Sequence, residues 1–289
     1  EVALKVLHPE IAAIDDVVQR FLREARALGR LSHPNTVRIY EVDRLSDGTL
    51  FMSMELLHGH NLSALFEQGA VEPARVVGIA IQVLRSLAEA HAAGMVHRDL
   101  KPENLFMTSQ VDKSDQVKVL DFGLVKLLEH PRLLHLTRTG TAIGTPGYMS
   151  PEAAMSRSVG PGTDIYSLGV VMFELLAGAP LFTAKSPLAL VMKHLNEPPP
   201  RIREVNRAVF VSPALEGVIR RMLEKEPARR YTSAAEAIEA LLETLRPEAR
   251  RYMSFVDTEP PASDGPLRTG THPEFAATSL DMPIFDEDA

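Results

Sequence analysis

The hydrophobic pattern of this chain changes near residue 57, and the change limits the fold to two dissimilar parts. Before that point, "VALKVL", "TVRIYEV" and "LFMSMELL" are short apolar runs typical of strands. One helical pattern interrupts them between Asp15 and Leu31, where apolar residues recur every three or four positions. Residues 1–57 are therefore predicted to form a small α+β unit.

From "NLSALF" onward, long helical patterns dominate. They run roughly from Pro73 to Ala93, Thr163 to Ala177, Leu188 to Leu195, Pro213 to Leu223 and Ser233 to Leu245. The stretch 94–162 between the first two patterns is rich in turn residues and charges, and loops of this kind often carry chemistry. Residues 58–245 are predicted to form a larger, mostly helical part.

The periodicity ends after Leu245. Proline, serine, threonine and acidic residues dominate from there to the last residue, and none of the helical or strand patterns recurs. Residues 246–289 are therefore predicted to be a disordered tail or linker.

Composition excludes several classes of protein. At 289 residues with 45% hydrophobic content, the chain can bury a substantial core. The 31 basic and 38 acidic side chains give a formal charge of −7, which argues against a generic binder of nucleic acid or anionic membranes. Without cysteine there are no disulfides, thiolate zinc sites or thiol nucleophiles. We find no signal peptide and no membrane-spanning apolar run, so the expected location is the cytoplasm.

The densest group of reactive side chains lies in "MVHRDLKPENLFM". An ordinary turn would use Gly, Asn and Ser, whereas this one combines Asp99, a candidate base, with Lys101 and the amide of Asn104. Further along, the apolar strand "VKVL" leads directly into Asp121. Oxygen donors of this kind suit Mg²⁺, which takes one or two carboxylates together with substrate phosphates. Such a loop could hold a nucleophile, a phosphoryl group and a metal ion together.

These residues carry a family resemblance. The motifs "HRDLKPEN", "DFG", "GTPGYMSPE" and "DIYSLG", in this order, resemble the catalytic domain of eukaryotic-type protein kinases, with a serine/threonine-specific and bacterial-like character. The resemblance covers residues 1 to about 245. It implies a two-lobed fold with a small β-rich lobe, incomplete here, in residues 1–57. The helical large lobe, with the catalytic loop and activation segment, would span residues 58–245.

The resemblance assigns a role to Lys5, the single charge in "VALKVL". It implies that Lys5 pairs the α- and β-phosphates of ATP and is oriented by a glutamate on the following helix, for which Glu24 is the candidate. Taken alone, Lys5 would equally suit an edge strand, where lysine guards against aggregation. The helix carrying Glu24 favours the functional interpretation.

The catalytic loop takes its roles from the same family. Asp99 resembles the residue that accepts or orients the substrate hydroxyl proton, and Lys101 the one that neutralises charge on the transferred phosphoryl group. Asn104 and Asp121 resemble the metal ligands. The implied cofactors are ATP and Mg²⁺, with Mn²⁺ as an alternative.

The adenine site is expected at the end of the strand "LFMSMELL". By resemblance, Glu55 and Leu57 offer backbone groups, Met54 lies at the back of the pocket, and Ala3 and Phe106 enclose the ring. Met54 and Phe106 would have the same character as ordinary core residues, so that alternative stays open.

Regulation is expected in "LTRTGTAIGTPGYMSPE". Arg98 precedes Asp99 as in kinases whose activation loop is ordered by phosphorylation, because a phosphate would give its guanidinium a partner. Thr139 is the first candidate phosphosite, Thr137 the second and Thr141 the third. The alternative is a polar surface loop. Thr145 is expected to shape the substrate site.

Four residues are expected to be architectural. Glu152 and Arg230 resemble an ion pair that ties the activation segment to the large lobe, although Arg229 is an adjacent competitor. Asp164 is expected to accept hydrogen bonds from the backbone of the "HRD" loop. His97 is expected to anchor that loop by packing and not to act as a base.

The glycine-rich loop of the family, GxGxxG, would precede "VALK" and does not occur in this sequence. We expect an N-terminally truncated kinase that phosphorylates serine and threonine in protein substrates, with autophosphorylation of the activation loop. Self-association for that step stays open, and neither nucleic acid nor a membrane segment is expected. The alternatives are a pseudokinase or docking module without phosphoryl transfer and, more remotely, a nucleotide-binding or helical scaffold protein.

Overall fold

A computed structural model describes residues 1–6, 15–45, 48–109, 115–122 and 146–245. The small lobe contains an antiparallel sheet with strand order β1-β3-β2. Its strands are β1 (Val2–Val6), β2 (Ile39–Arg44) and β3 (Leu50–Glu55). Helix α1 (Asp15–Leu28) packs against this sheet through the buried side chains of Val18, Phe21, Ala25 and Leu28.

Strand β1 lies at one edge of the described sheet. Its register places Lys5 opposite Met52 on β3. Alternate residues of a strand point to opposite faces, and Val2, Leu4 and Val6 are 48–57% exposed whereas Lys5 is half-buried. The strand therefore directs its lysine inward and leaves its apolar face uncovered among the described residues.

A second antiparallel sheet stands where the two lobes meet. It comprises β4 (Gly59–Asn61), β5 (Leu105–Ser109) and β6 (Asp115–Val119) in that order, with α2 (Leu62–Phe66) after β4. Gly59 has φ +151°, and a Cβ there would collide with the carbonyl oxygen of Met107. Only glycine allows β4 to approach β5 this closely.

The large lobe is helical. Its helices are α3 (Pro73–Ala92), α4 (Pro151–Ala154), α5 (Pro161–Ala177), α6 (Pro187–Asn196), α7 (Ile202–Val205), α8 (Pro213–Met222) and α9 (Ala234–Glu243). Nearly every side chain of α5 is buried, so this helix forms the centre of the lobe. Serine side chains cap the N-termini of α4, α6, α8 and α9.

The loop between α1 and β2 joins the lobes. Backbone hydrogen bonds connect Val119 N–H to the Asn35 carbonyl (2.7 Å) and Val37 N–H to the Val119 carbonyl (3.0 Å). The Glu89 carboxylate on α3 accepts hydrogen bonds from the backbone N–H groups of Ser32 (2.8 Å) and His33 (3.0 Å). This loop belongs to the small lobe in sequence and is fastened to the large lobe in space.

The two-lobed α+β prediction is confirmed, and the five long helices begin and end within two residues of their predicted limits. The first helix ends at Leu28 instead of Leu31, because residues 29–30 turn towards β2. Strand β5 is not among the predicted elements, because the turn residues and charges of 94–162 indicate loops. Within the described ranges, no helix has the length and apolarity needed to cross a membrane. The predicted tail, 246–289, lies outside the described residues.

Candidate active site

The catalytic loop, residues 97–104, is anchored by a buried histidine. The His97 backbone N–H donates to Oδ2 of Asp164 (2.8 Å), and its ring Nε2 donates to the Leu120 carbonyl (2.8 Å). Its Nδ1 accepts a hydrogen bond from the Asp99 N–H (3.3 Å). Both ring nitrogens are therefore occupied, and the side chain is fully buried. This agrees with an anchoring role and leaves no ring nitrogen for proton transfer.

Asp164, in the first turn of α5, holds the start of this loop. Its Oδ1 accepts from the Arg98 N–H (2.9 Å), and its Oδ2 accepts from the His97 N–H and from Nε2 of His91 (2.8 Å each). Arg98 has φ +67°, which costs energy for a residue other than glycine. The buried Asp164 carboxylate therefore accepts the backbone N–H groups of the "HRD" loop, and it does so where that backbone is strained.

Two polar side chains meet the Asp99 carboxylate. Nδ2 of Asn104 donates to Oδ2 of Asp99 (3.1 Å) and to its carbonyl oxygen (2.8 Å). The Lys101 ammonium lies 3.5 Å from the same Oδ2. Asn104 is 8% exposed, so its amide is fixed by burial as well as by these bonds. The arrangement holds the Asp99 carboxylate in one orientation beside a positive charge.

Asp121 is brought to the same region from the end of β6. The Leu120 N–H donates to the Asn104 carbonyl (2.9 Å), which joins the catalytic loop to the residue before Asp121. Asp121 has φ +49°, a left-handed conformation that aspartate tolerates better than most residues. Its Oδ1 accepts a hydrogen bond from the Lys5 ammonium (2.7 Å). The structure therefore joins Lys5 of the small lobe to Asp121. Glu24 is half-buried on α1.

The donor atoms at this point fit a hard divalent cation. Because both described bonds of the Asn104 side chain use Nδ2, its amide oxygen remains as a candidate ligand. Asp121 adds a carboxylate. In the described ranges no cluster of three or more His, Asp or Glu could hold a metal by itself. Such a site needs additional oxygen ligands, and substrate phosphates commonly provide them.

The predicted adenine residues lie around β3 and β5. Ala3 on β1 pairs in register with Met54 on β3, and Phe106 pairs with Asn61. Met54 also lines a cavity of about 10 Å³ together with Asp121. Leu57 follows the end of β3 and is half-buried.

Glu55 has a side-chain role that the sequence did not reveal. Its Oε1 accepts from the Arg38 N–H (2.8 Å) and from the Lys118 ammonium (2.7 Å). Lys118 lies on β6, in the second sheet, whereas Glu55 ends β3 in the small lobe. This ion pair therefore bridges the segment that connects the lobes. Both residues lie in strands that the sequence predicts, but no sequence pattern indicates that they form an ion pair.

The candidate regulatory residues Thr137, Thr139 and Thr141, together with Thr145, lie outside the described residues. Arg98, the predicted partner of a phosphate, is exposed. Its guanidinium is therefore accessible from solvent.

Glu152, in the first turn of α4, lies against Arg230 and not against Arg229. Nη1 and Nη2 of Arg230 each donate to one carboxylate oxygen at 2.8 Å, and Thr163 Oγ1 donates to Oε1 (2.7 Å). Burial alone would raise the pKa of Glu152, but the bonds and charge of Arg230 outweigh it and hold this pKa below its usual value. Arg229 is exposed.

A second buried pair, which the sequence did not indicate, joins Tyr148 before α4 to Glu174 on α5. The Tyr148 hydroxyl donates to Oε2 of Glu174 (2.7 Å), and the Leu181 N–H donates to Oε1 (3.1 Å). Burial raises the pKa of Glu174, and burial together with the Glu174 charge raises the pKa of Tyr148. The sequence feature that could have indicated a buried acid is Glu174 itself, the single charged residue in the apolar run "VVMFELLA".

Comparison with known proteins places this geometry in context. A family model described as the protein kinase domain matches residues 1–242. The serine/threonine-protein kinase pkn3 of Myxococcus xanthus is 40% identical over 258 residues, which cover 88% of this chain and 46% of the relative.

Two further relatives extend the similarity to other bacteria. The serine/threonine-protein kinase PknD of Mycobacterium tuberculosis is 36% identical, covering 97% of this chain and 40% of that protein. The DNA damage-responsive serine/threonine-protein kinase RqkA of Deinococcus radiodurans is 36% identical, covering 98% and 40%. The chain thus spans less than half the length of these relatives.

Proposed function

Because this chain belongs to the protein kinase domain family, we propose that it transfers the γ-phosphoryl group of ATP to serine and threonine hydroxyls of proteins. The observation that carries this proposal is the convergence of Lys101 and Asn104 on the Asp99 carboxylate. A buried amide and an ammonium together hold one half-buried carboxylate in a fixed orientation. They suit the positioning of a hydroxyl nucleophile beside a negatively charged group.

Asp99 is the proposed acceptor of the substrate hydroxyl proton. Its Oδ2 is held by Asn104 and Lys101, which leaves Oδ1 as the atom to orient the hydroxyl. Lys101 would balance the charge of the phosphoryl group during transfer. Phosphoryl transfer asks little covalent chemistry of the protein, so fixed positions and fixed charges are the expected contribution.

Asn104 and Asp121 are the proposed ligands of a divalent cation, through the amide oxygen and a carboxylate oxygen. Mg²⁺, or Mn²⁺ as the alternative, would when bound neutralise charge on the ATP phosphates. The Lys5 ammonium, which contacts Asp121 in this structure, is close enough to this site to bind phosphates as well. Glu24 is the proposed orienting partner of Lys5, and residues Ala3, Met54, Glu55, Leu57 and Phe106 are proposed to receive the adenine.

Regulation by autophosphorylation is part of the proposal. Thr139, then Thr137 and Thr141, are the candidate sites, and the exposed Arg98 guanidinium supports them because it can pair with a phosphate. Transfer between two copies of the chain would require them to associate transiently. Thr145 is proposed to shape the substrate site.

The test is transfer of labelled phosphate from Mg-ATP to the chain and to a basic serine- and threonine-containing protein. We expect label on both, with the autophosphorylation sites mapped by mass spectrometry to 137–141. The variants Asp99→Asn and Asp121→Asn should lose the label, whereas Lys193→Met, on the surface of α6, should keep it. If the chain binds Mg-ATP without transferring phosphate to either acceptor, the pseudokinase alternative replaces this proposal.

A further inference from the structure

A groove of about 470 Å³ opens on the large lobe between the start of α3, the start of α8 and the end of α9. We call it the α3–α8–α9 groove. Its apolar lining consists of Pro73, Ala74, Val77, Phe210, Leu215 and Leu245. A volume of this size is typical of sites that receive several side chains or a small molecule.

The groove has a rigid floor and an uncovered wall. Val77 and Leu215 form the floor and are 1% and 3% exposed, because they also belong to the core of the lobe. Phe210 forms part of the wall and is 74% exposed, more than any other large hydrophobic residue in the described ranges. An aromatic ring beside a concave apolar surface is the usual anchor point of a contact with another segment.

The chain itself leaves the described structure inside this groove. Thr244 and Leu245 both line it, and residue 246 follows directly. The first apolar stretch after that point is "YMSFV", Tyr252–Val256. Six residues lie between Leu245 and Tyr252, and the seven Cα–Cα steps can span up to roughly 23 Å. The stretch can therefore reach every wall of the groove.

Proximity favours this stretch over other candidate occupants. The later apolar stretches, "FAA" from Phe275 and "MPIF" from Met282, lie farther along the chain. The entropy cost of closing a loop rises with its length, so the nearer stretch has the higher effective concentration at the groove. Arg250 and Arg251 precede the stretch, and Glu72 on the groove rim carries the opposite charge.

We propose that Tyr252–Val256 docks into the α3–α8–α9 groove of the same chain, with Phe255 and Tyr252 packing against Phe210. The beginning of the tail is then part of the folded unit, and the linker starts after Val256 instead of after Leu245. Docking at this position also fixes the direction in which the rest of the chain leaves the large lobe.

The chain contains no tryptophan, which gives the proposal a direct test. Phe255→Trp introduces a single tryptophan in the otherwise intact chain, and its emission can be excited apart from that of the five tyrosines. We expect its emission to be blue-shifted and protected from quenching by acrylamide. Adding either Phe210→Ser or Ala74→Glu, which remove the wall or fill the groove, should shift the emission to the red and restore quenching. Phe285→Trp, in "MPIF", is the matched control and should be fully quenched in every background.

Each other outcome overturns the proposal. Equal quenching of the Phe255→Trp and Phe285→Trp variants would mean that the nearer stretch does not dock. Protection of Phe285→Trp instead would assign the groove to the distal stretch. Protection of Phe255→Trp that persists in both folded groove variants would place the contact elsewhere, and protection lost on dilution would mean docking between copies. The measurement uses no nucleotide, so its result is independent of the proposed phosphoryl transfer.

Discussion

Arg230 and Glu152 face each other through two parallel hydrogen bonds of 2.8 Å, and both side chains are buried. The remaining N–H groups of the guanidinium donate to the carbonyls of Gly162 (2.7 Å), Glu224 (2.7 Å) and Lys225 (3.0 Å). All five donors of Arg230 are therefore used. A lysine has one point charge and cannot reproduce this pattern. The pair connects α4 to the loop before α9.

Removal of Arg230 is predicted to destabilise the large lobe strongly. Arg230→Met would leave the Glu152 carboxylate buried without its cation, so we expect the free energy of unfolding to fall by roughly 3–5 kcal/mol. The matched control is Arg229→Met at the exposed neighbouring position, where the change should stay within about 0.5 kcal/mol. Urea unfolding of the three proteins measures both values. Similar midpoints for the two variants would contradict the prediction.

The same pair predicts how stability depends on pH. The pKa of Glu152 lies below its ordinary value of 4.5 in the folded chain. The carboxylate therefore stabilises the fold above pH 4.5, and this contribution is lost as the pH falls through the lower, folded value. The wild type should be more stable than Glu152→Gln at neutral pH, and the difference should shrink on acidification. Glu239→Gln, at an exposed position of α9, should show no such trend. A constant Glu152→Gln difference from pH 7 to pH 3 would refute this assignment.

Lys5 is predicted to matter for activity far more than for stability. Its ion pair with Asp121 is about one-third exposed on each side, and pairs of this kind contribute roughly 0–1 kcal/mol to stability. Lys5→Met should therefore leave the free energy of unfolding within that range. Phosphoryl transfer should fall by about 10²–10³-fold, because a charge directed at the phosphates is lost. Lys193→Met, which removes only a surface pair with Glu197, is the control for both measurements. Unchanged transfer by Lys5→Met would exclude this role.

The sequence could predict the proximity of those candidate site residues that occur in short, ordered motifs. Asp99, Lys101 and Asn104 lie within six consecutive positions, so local geometry alone brings them together once the loop is anchored. Asp121 follows a strand, and its position next to Asn104 needs only the pairing of β5 with β6. Helix limits were also predictable, because capping serines and prolines mark them.

Pairs between distant elements could not be predicted in the same way. Lys118 and Glu55 are 63 positions apart, and their contact depends on how the two sheets meet. Glu174 was visible as an isolated acid in an apolar helix, but its partner Tyr148 depends on how residues 146–150 pack on α5. The choice of Arg230 over Arg229 likewise depends on which of two adjacent side chains points inward.

A buried histidine in α6 is another residue whose contacts with distant elements could not be predicted from the sequence. His194 is fully buried, with Nδ1 3.0 Å from the Tyr166 hydroxyl and its ring 5.1 Å from that of Phe182. The Lys225 ammonium donates to its carbonyl oxygen (2.8 Å). Burial first, and the Lys225 charge second, lower the pKa of His194 from 6.5 to about 4. A proton on this ring is therefore unfavourable in the folded chain.

His194 is accordingly predicted to make the fold sensitive to acid. The unfolded chain takes up a proton at His194 near pH 6.5, whereas the folded chain resists protonation until about pH 4. Stability should fall as the pH drops through this window, by up to about 3 kcal/mol for the full shift. His194→Asn keeps an acceptor for Tyr166 but cannot titrate, so its urea midpoint should lack this part of the pH dependence. His58→Gln, at an exposed position, should follow the wild type. Parallel pH profiles for the wild type and His194→Asn would show that this ring does not control acid stability.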